Sequence, residues 1–355
     1  MLMEEPKKIR LGFYPYAYVR TVVMRTLLFR KDDYDKMLKM GFSEIAKFLQ
    51  DSNYKIEIDS LAVSYSGADL LELALSRSLA ASFKKLMRIS SYEIGLVVRE
   101  YSMRKDIDDI KAIIRGKFTN AEEKAIMGCV TAAGTLSREF LDLLLKKDSV
   151  EEVLKANSIV DFNLLKEGIK ELNEKNSLMG IENAFDKYYY THLIKFSASL
   201  SRQGRLLREF LLKEVEVSNI LTILRLKRAK TDASLVKEFI ISCGDKAKDS
   251  RITRLAELAD FEKLLKELEK TEYSSAVSKG IEEFRKSGSL IMLEIGLFKY
   301  LLARSTLFMH QHPLSVDTII GYMFAKDMEV RNLKIIVKGK QLGLSEDFIR
   351  GQLVY

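Results

Sequence analysis

The stretch Ile107–Lys117, IDDIKAIIRGK, decides the reading of this chain because it comes back twice, as Val217–Lys227, VSNILTILRLK, and Val330–Lys340, VRNLKIIVKGK. An acid precedes each copy (Asp106, Glu216, Glu329), and Asp or Asn stands two places after the first branched residue (Asp109, Asn219, Asn332). Apolar residues follow at helical spacing: Ile110, Ile113 and Ile114; Ile220, Ile223 and Leu224; Leu333, Ile336 and Val337. Two bases close each copy: Arg115 and Lys117, Arg225 and Lys227, Lys338 and Lys340. The copies start 110 and then 113 residues apart, so three such units account for nearly the whole chain.

Each copy predicts a short amphipathic helix with one buried stripe. The leading acids and closing bases complement the helix dipole, and Gly116 and Gly339 stand where a left-handed C-terminal residue belongs. The Asp109, Asn219 and Asn332 column reads as polar groups satisfying backbone at a helix start. The alternative is three equivalent interior contacts. The six closing bases read as solvated; if the units pack in a circle, they form basic rings about a common axis and a candidate interface.

Outward from the motif, the register holds. Glu182-Asn183-Ala184-Phe185 lies 110 places after Glu72-Leu73-Ala74-Leu75, and Ser201 lies 110 after Ser91. Phe261, Leu264, Leu268 and Tyr273 repeat the spacing of Phe42, Ile45, Leu49 and Tyr54. The predicted units are 1–119, 120–230 and 231–355, with joints near Thr119-Asn120 and Thr231-Asp232. Helices are expected over about Val19–Phe29, Ala68–Met87 from a capping-box-like Ser66 and Asp69, Ala121–Leu145, Val150–Asn157 and Gly180–Leu200. Ile56–Gly67 reads as irregular. His312-Pro313 ends a helix and Ser315 restarts it, and Ser345 caps a last helix carrying Phe348 and Ile349.

Only three prolines (Pro6, Pro15, Pro313) occur in 355 residues. Proline breaks helix interiors, so its scarcity, with Leu, Lys, Glu, Ile and Ala in helical periods, predicts an all-α fold. The net charge of +8 is spread over a surface in which acids and bases interleave. A nucleic-acid binder would gather its bases on one face with aromatics between them. Cys129 and Cys243 read as separate buried thiols of a reducing compartment. No signal-peptide pattern opens the chain and no run of about 18 apolar residues occurs.

Phosphate-cradling glycine patterns are missing, as are HExxH, CxxC and GxSxG. His310 and His312 are too closely spaced to share a helix face. No catalytic, cofactor or metal site is therefore read, and the enzyme class has nothing to stand on. A solenoid scaffold would show periods of about 33–47 residues, against the 110 found here.

The tripled motif, the scarcity of proline and the ending GKQLGLSEDFIRGQLV resemble the C subunits of archaeal A-type and bacterial V/A-type ATPases, the counterparts of the d subunit in eukaryotic V-type ATPases. Asp106–Lys117 and Glu329–Val354 carry most of the resemblance, which spans essentially the whole chain, and Tyr16–Leu28 is a further match; Leu226 departs from the glycine of the other two motifs. The resemblance implies three similar helical units of about 110 residues in a pseudo-threefold funnel. It implies a non-catalytic coupling subunit, monomeric when isolated, at the cytoplasmic face of the membrane. Its partners would be the central shaft subunits and the membrane rotor ring, with membrane contact only through the ring. The alternative is an all-helical repeat scaffold for other assemblies.

Overall fold

The three motif stretches form the C-terminal halves of three long helices, Tyr92–Phe118, Arg205–Arg228 and Val316–Gln341. The short helices expected from the motif alone are therefore extended by 12 to 15 residues towards the N-terminus. The structure, a computed structural model, describes residues 9–355 apart from Asp245 and Ala259; the charged opening with Pro6 lies outside the described residues. Among the described residues the elements are helices, with one isolated parallel β-bridge between Ile9 and Leu200.

The chain divides into two compact units, Met40–Leu193 and the residues up to Lys39 together with Ile194–Tyr355. In the Met40–Leu193 unit, the Tyr92–Phe118 helix packs against the helices Gly67–Ile89, Glu123–Cys129, Arg138–Leu145 and Val150–Ala156. Its Ile107, Ile110, Ile113 and Ile114 are buried. Each such side chain contributes about 1.5–3 kcal/mol by leaving water. In the other unit, Ile291–Gln311 packs between Ser274–Ser287 and Val316–Gln341, and Arg205–Arg228 touches both Ile291–Gln311 and Val316–Gln341. Phe210 meets Phe308 and Phe324 edge-on, with ring centroids 5.2 and 5.5 Å apart, an arrangement the aromatic quadrupole favours. The N-terminal segment of this unit is tied in by backbone: Ile9 N–H donates to Ser199 at 3.0 Å and Ser201 N–H to Ile9 at 2.9 Å.

Several expectations need correcting. The single helix expected over 121–145 is two, Glu123–Cys129 and Arg138–Leu145, separated by a non-helical Val130–Ser137. The supposedly irregular 56–67 stretch contains the helix Lys55–Leu61. Ser66 sits at the N-cap of Gly67–Ile89 without a side-chain capping bond, so the capping box is absent. The first helix starts earlier than expected, Pro15–Thr26, with proline in its first turn, where its missing N–H is harmless. Cys129 is exposed; only Cys243 is buried. As expected, His312 ends the Ile291–Gln311 helix, and Ser315 caps the next by accepting from Asp317 N–H.

Tyr54 and Tyr273 are both fully buried, and each stands at the start of a helix. A hydroxyl two residues earlier locks each turn. Ser52 Oγ donates to Leu49 at 2.6 Å and accepts from Tyr54 N–H at 3.3 Å. Thr271 Oγ1 donates to Leu268 at 2.7 Å and accepts from Tyr273 N–H at 3.2 Å. Asn157 does the same work between Leu154 and Ile159, at 2.6 and 3.1 Å.

Candidate functional site

The Asp/Asn column lies within the long helices rather than at helix starts, and each member grips backbone 22 residues further on. Asn219 Nδ2 donates to Ile241 C=O at 2.8 Å, and its Oδ1 accepts from Ile241 N–H at 2.9 Å. Asn332 holds Val354 in the same two-way grip, at 2.7 and 2.8 Å. A primary amide carries a donor and an acceptor side by side, which is what the N–H and C=O of one extended residue require. Asp109 meets a different backbone. Its Oδ1 accepts from Thr131 N–H at 2.7 Å and Thr131 Oγ1 at 3.0 Å, and its Oδ2 accepts from Ala132 N–H at 2.8 Å. Ala132 has φ +51°, and the turn presents two successive N–H groups to the side chain. Two donors call for two acceptors, so a carboxylate stands here.

The acids before each motif are buried and have left the helix-dipole role expected of them. Asp106 accepts from Thr135 N–H, Thr135 Oγ1 and Leu136 N–H, each at 2.8 Å. The backbone comes so close that a Cβ on Gly134 would lie 2.0 Å from Asp106 Oδ1, so only glycine fits. Glu216 is paired with Arg251 and with Lys213, the latter at 3.2 Å. Glu329 pairs with the buried Lys326 at 2.8 Å and accepts from Phe29 N–H at 2.5 Å. Burial pushes Asp106 above its ordinary carboxylate range and Asp109 up to about 6, against the downward pull of their hydrogen bonds.

Gly116 and Gly339 are helical, contrary to the expected left-handed position, and each is a packing notch. A Cβ on Gly116 would lie 2.3 Å from Ile126 Cγ1, and one on Gly339 would lie 2.6 Å from Ile349 Cγ1. Ten places after Leu226, the residue is the smaller Val236, also buried. The left-handed residues are Asn120, Lys230 and Gly343. After each, an N–H reaches back to the notch position: Ala121 to Gly116 at 2.9 Å, Thr231 to Leu226 at 3.0 Å, Leu344 to Gly339 at 2.9 Å. That is the Schellman arrangement.

The six bases fall into different surroundings. Arg115 is exposed and clamps Glu182 with two bonds, Nε–Oε1 at 2.6 Å and Nη2–Oε2 at 2.8 Å, which raises its pKa further. Arg225 pairs with Glu294 through Nε and Nη2, both on Oε1 at 2.9 Å. Lys338 is exposed, while Lys117 and Lys227 are half-buried. Lys340 donates to the Leu38 carbonyl and lies 3.8 Å from the Glu346 carboxylate. Exposed ion pairs of this kind contribute about 0–1 kcal/mol to stability.

The histidines are dispersed. His192 Nε2 lies 2.6 Å from Glu100, His310 Nε2 2.9 Å from Arg25, and His312 Nδ1 3.5 Å from Asp317. Among the described residues no group of three or more His, Cys, Asp or Glu side chains could hold a metal ion, and no helix is long and apolar enough to cross a membrane. The motif pattern gives no hint of one further surface, the outer face of Pro15–Thr26, where Tyr16, Val19 and Val23 are exposed. The signal for it is elsewhere in the sequence: Ile9–Lys31 contains no acid.

A sequence model described as ATP synthase (C/AC39) subunit matches residues 17–352. The chain is similar to the C subunit of the A-type ATP synthase of Methanosarcina acetivorans, with 35% identity over 99% of this chain and 95% of that protein. It is similar to the protein of the same name from Methanococcoides burtonii, with 36% identity over 96% of this chain and 94% of that protein. For Halobacterium salinarum the identity is 34%, over 96% and 97%.

Proposed function

Because the chain belongs to the ATP synthase (C/AC39) subunit family, we propose that it is a non-catalytic central-stalk subunit of a rotary A/V-type ATPase. It is a socket that couples the soluble shaft to the membrane rotor ring during ATP-linked proton or sodium transport. The observation that carries this reading is the near-full-length match to the C subunits of A-type ATP synthases. The physical sense is mechanical. A narrow shaft and a wide ring share little surface, and a rigid helical body between them transmits torque.

Three units, 1–119, 120–230 and 231–355, form a pseudo-threefold funnel in this proposal. Support comes from the motif helices, whose grips all span 22 residues and whose ends are capped alike. The chain sits at the cytoplasmic face of the membrane and meets it only through the ring. The six motif-end bases are the candidate interface. Lys117 and Lys227 are the ones to reverse first. Reversing Arg115 or Arg225 would set like charges against Glu182 or Glu294 and confound binding with folding.

Membranes stripped of this chain are expected to lose ATP-driven ion pumping while the detached catalytic head still hydrolyses ATP, and adding the chain back restores pumping. Pumping at full rate in its absence would overturn the proposal. In the same add-back assay, the double charge reversal should weaken reassembly at low salt and flatten its salt dependence.

A further inference from the structure

The Pro15–Thr26 helix is apolar on two sides. Ala17, Thr21 and Met24 are buried, and the helix packs on Val316–Gln341. Its other face carries Tyr16, Val19 and Val23, continued by Leu27 at the C-cap, with Phe13 just ahead of the helix; all five are more than half exposed. Contiguous exposed apolar surface marks an interaction site. The charge along the segment itself is one-sided. Ile9–Lys31 holds Arg10, Arg20, Arg25, Arg30 and Lys31 without a single acid. Beyond the helix's end, a cleft of about 530 Å³ has Arg25, Phe29, Arg30 and Met309 in its wall.

We propose that this face docks a helix of another protein of the complex, one with an apolar stripe edged by carboxylates. The inference rests on the coupling role proposed above and adds to it the surface and the chemistry of its partner. Val19, Val23 and Leu27 recur every four residues and make the kind of ridge that fits a groove on a second helix. The β-branched valines lose little rotamer freedom on contact. Arg20 flanks the ridge, and Arg25 and Arg30 line the cleft at its end. These are the positions where a partner's carboxylates would be met by guanidinium forks, the geometry best suited to pair with them. A lipid surface fits less well, because the helix is short and already held along one side by Val316–Gln341.

The test is direct binding of the full-length chain to three immobilised targets: the purified shaft subunits, the detergent-solubilised rotor ring, and protein-free vesicles of anionic lipid. The double variant Val19→Glu/Val23→Glu should retain its helical signal and melting temperature, since both side chains are exposed. It should lose at least tenfold in affinity for the shaft or the ring. Arg20→Glu/Arg30→Glu should weaken the same contact and reduce its dependence on salt. Full affinity of both variants for both protein targets would overturn the docking surface and leave the coupling role standing. So would tight binding of the wild type to the vesicles that the variants abolish. Failure of the wild type to bind either protein target would instead overturn the coupling role itself.

Discussion

Asp109 and Asn332 occupy the same place in two copies of one motif, and both reach backbone about 22 residues ahead, yet they are different acid–base chemistries. Around Asn332 the gripped segment is extended, and one residue, Val354, shows both its N–H and its C=O. Around Asp109 the segment turns through Ala132, and two N–H groups face the side chain. The difference teaches that the motif repeats a task, holding a following segment against a long helix, while the local backbone chooses between amide and carboxylate. Asp106 extends the same logic, taking two further N–H groups of that segment.

The largest effect is expected from breaking the match. In Asn332→Asp or Asn219→Asp, a buried carboxylate oxygen would face a carbonyl oxygen in place of an N–H donor. Leaving a charge buried and poorly paired costs about 3–5 kcal/mol, so denaturation at pH 8 should show a loss of that order. The new carboxyl's pKa would be raised in the folded state, so protonation on acidification supplies the missing donor and the loss shrinks towards pH 5. A loss that is the same at both pH values would break the comparison.

A second, smaller effect sharpens it. Asp109 holds its proton up to about pH 6 in the folded chain, against 3.8 for the free group. Between those values the native state keeps a proton that the unfolded chain releases, so stability falls as pH rises through the window. The difference in stability between wild type and Asp109→Asn should therefore move in the variant's favour from pH 4 to pH 7. The shift is on the order of 3 kcal/mol at most. Parallel stability curves for the two proteins would mean that Asp109 is ionised throughout.

The smallest effect concerns the notches. Gly339→Ala places a methyl against Ile349 and should cost about 1–3 kcal/mol by overpacking. Ile349→Val in the same chain should recover part of that, because the Leu226 site already carries the smaller valine. Additive costs in the double-mutant cycle would show that the two positions do not share the space.

The motif's own geometry was legible in the sequence. Period-3.6 isoleucines predicted the buried faces, and the column's polar residues were read as partners for backbone. Glu182, read only as the register mate of Glu72, proves to be the carboxylate that Arg115 clamps, a pairing between residues 67 apart that the motif does not carry. Ser315 marked the start of the last long helix, but the continuity of all three was hidden because their N-terminal halves bury polar groups such as Lys326 and Asp317. The break at Val130–Ser137 was hidden for a tertiary reason. Ala121–Leu145 has adequate helix propensity, but Asp106 and Asp109 take its backbone N–H groups for themselves. Local propensity loses wherever a distant side chain offers better hydrogen bonds.

The 22-residue grips have a consequence for the order of assembly. Closing a loop of that length is fast and entropically cheap, so each motif helix can capture its following segment early. The unit built from both ends of the chain also needs contacts such as Ile9 with Ser201 and Lys340 with Leu38, at separations of 192 and 302 residues. Long separations slow folding. The Met40–Leu193 unit is thus expected to gain amide protection first in pulse-labelled hydrogen exchange. During synthesis it can be finished while the ribosome still holds the residues that its neighbour awaits.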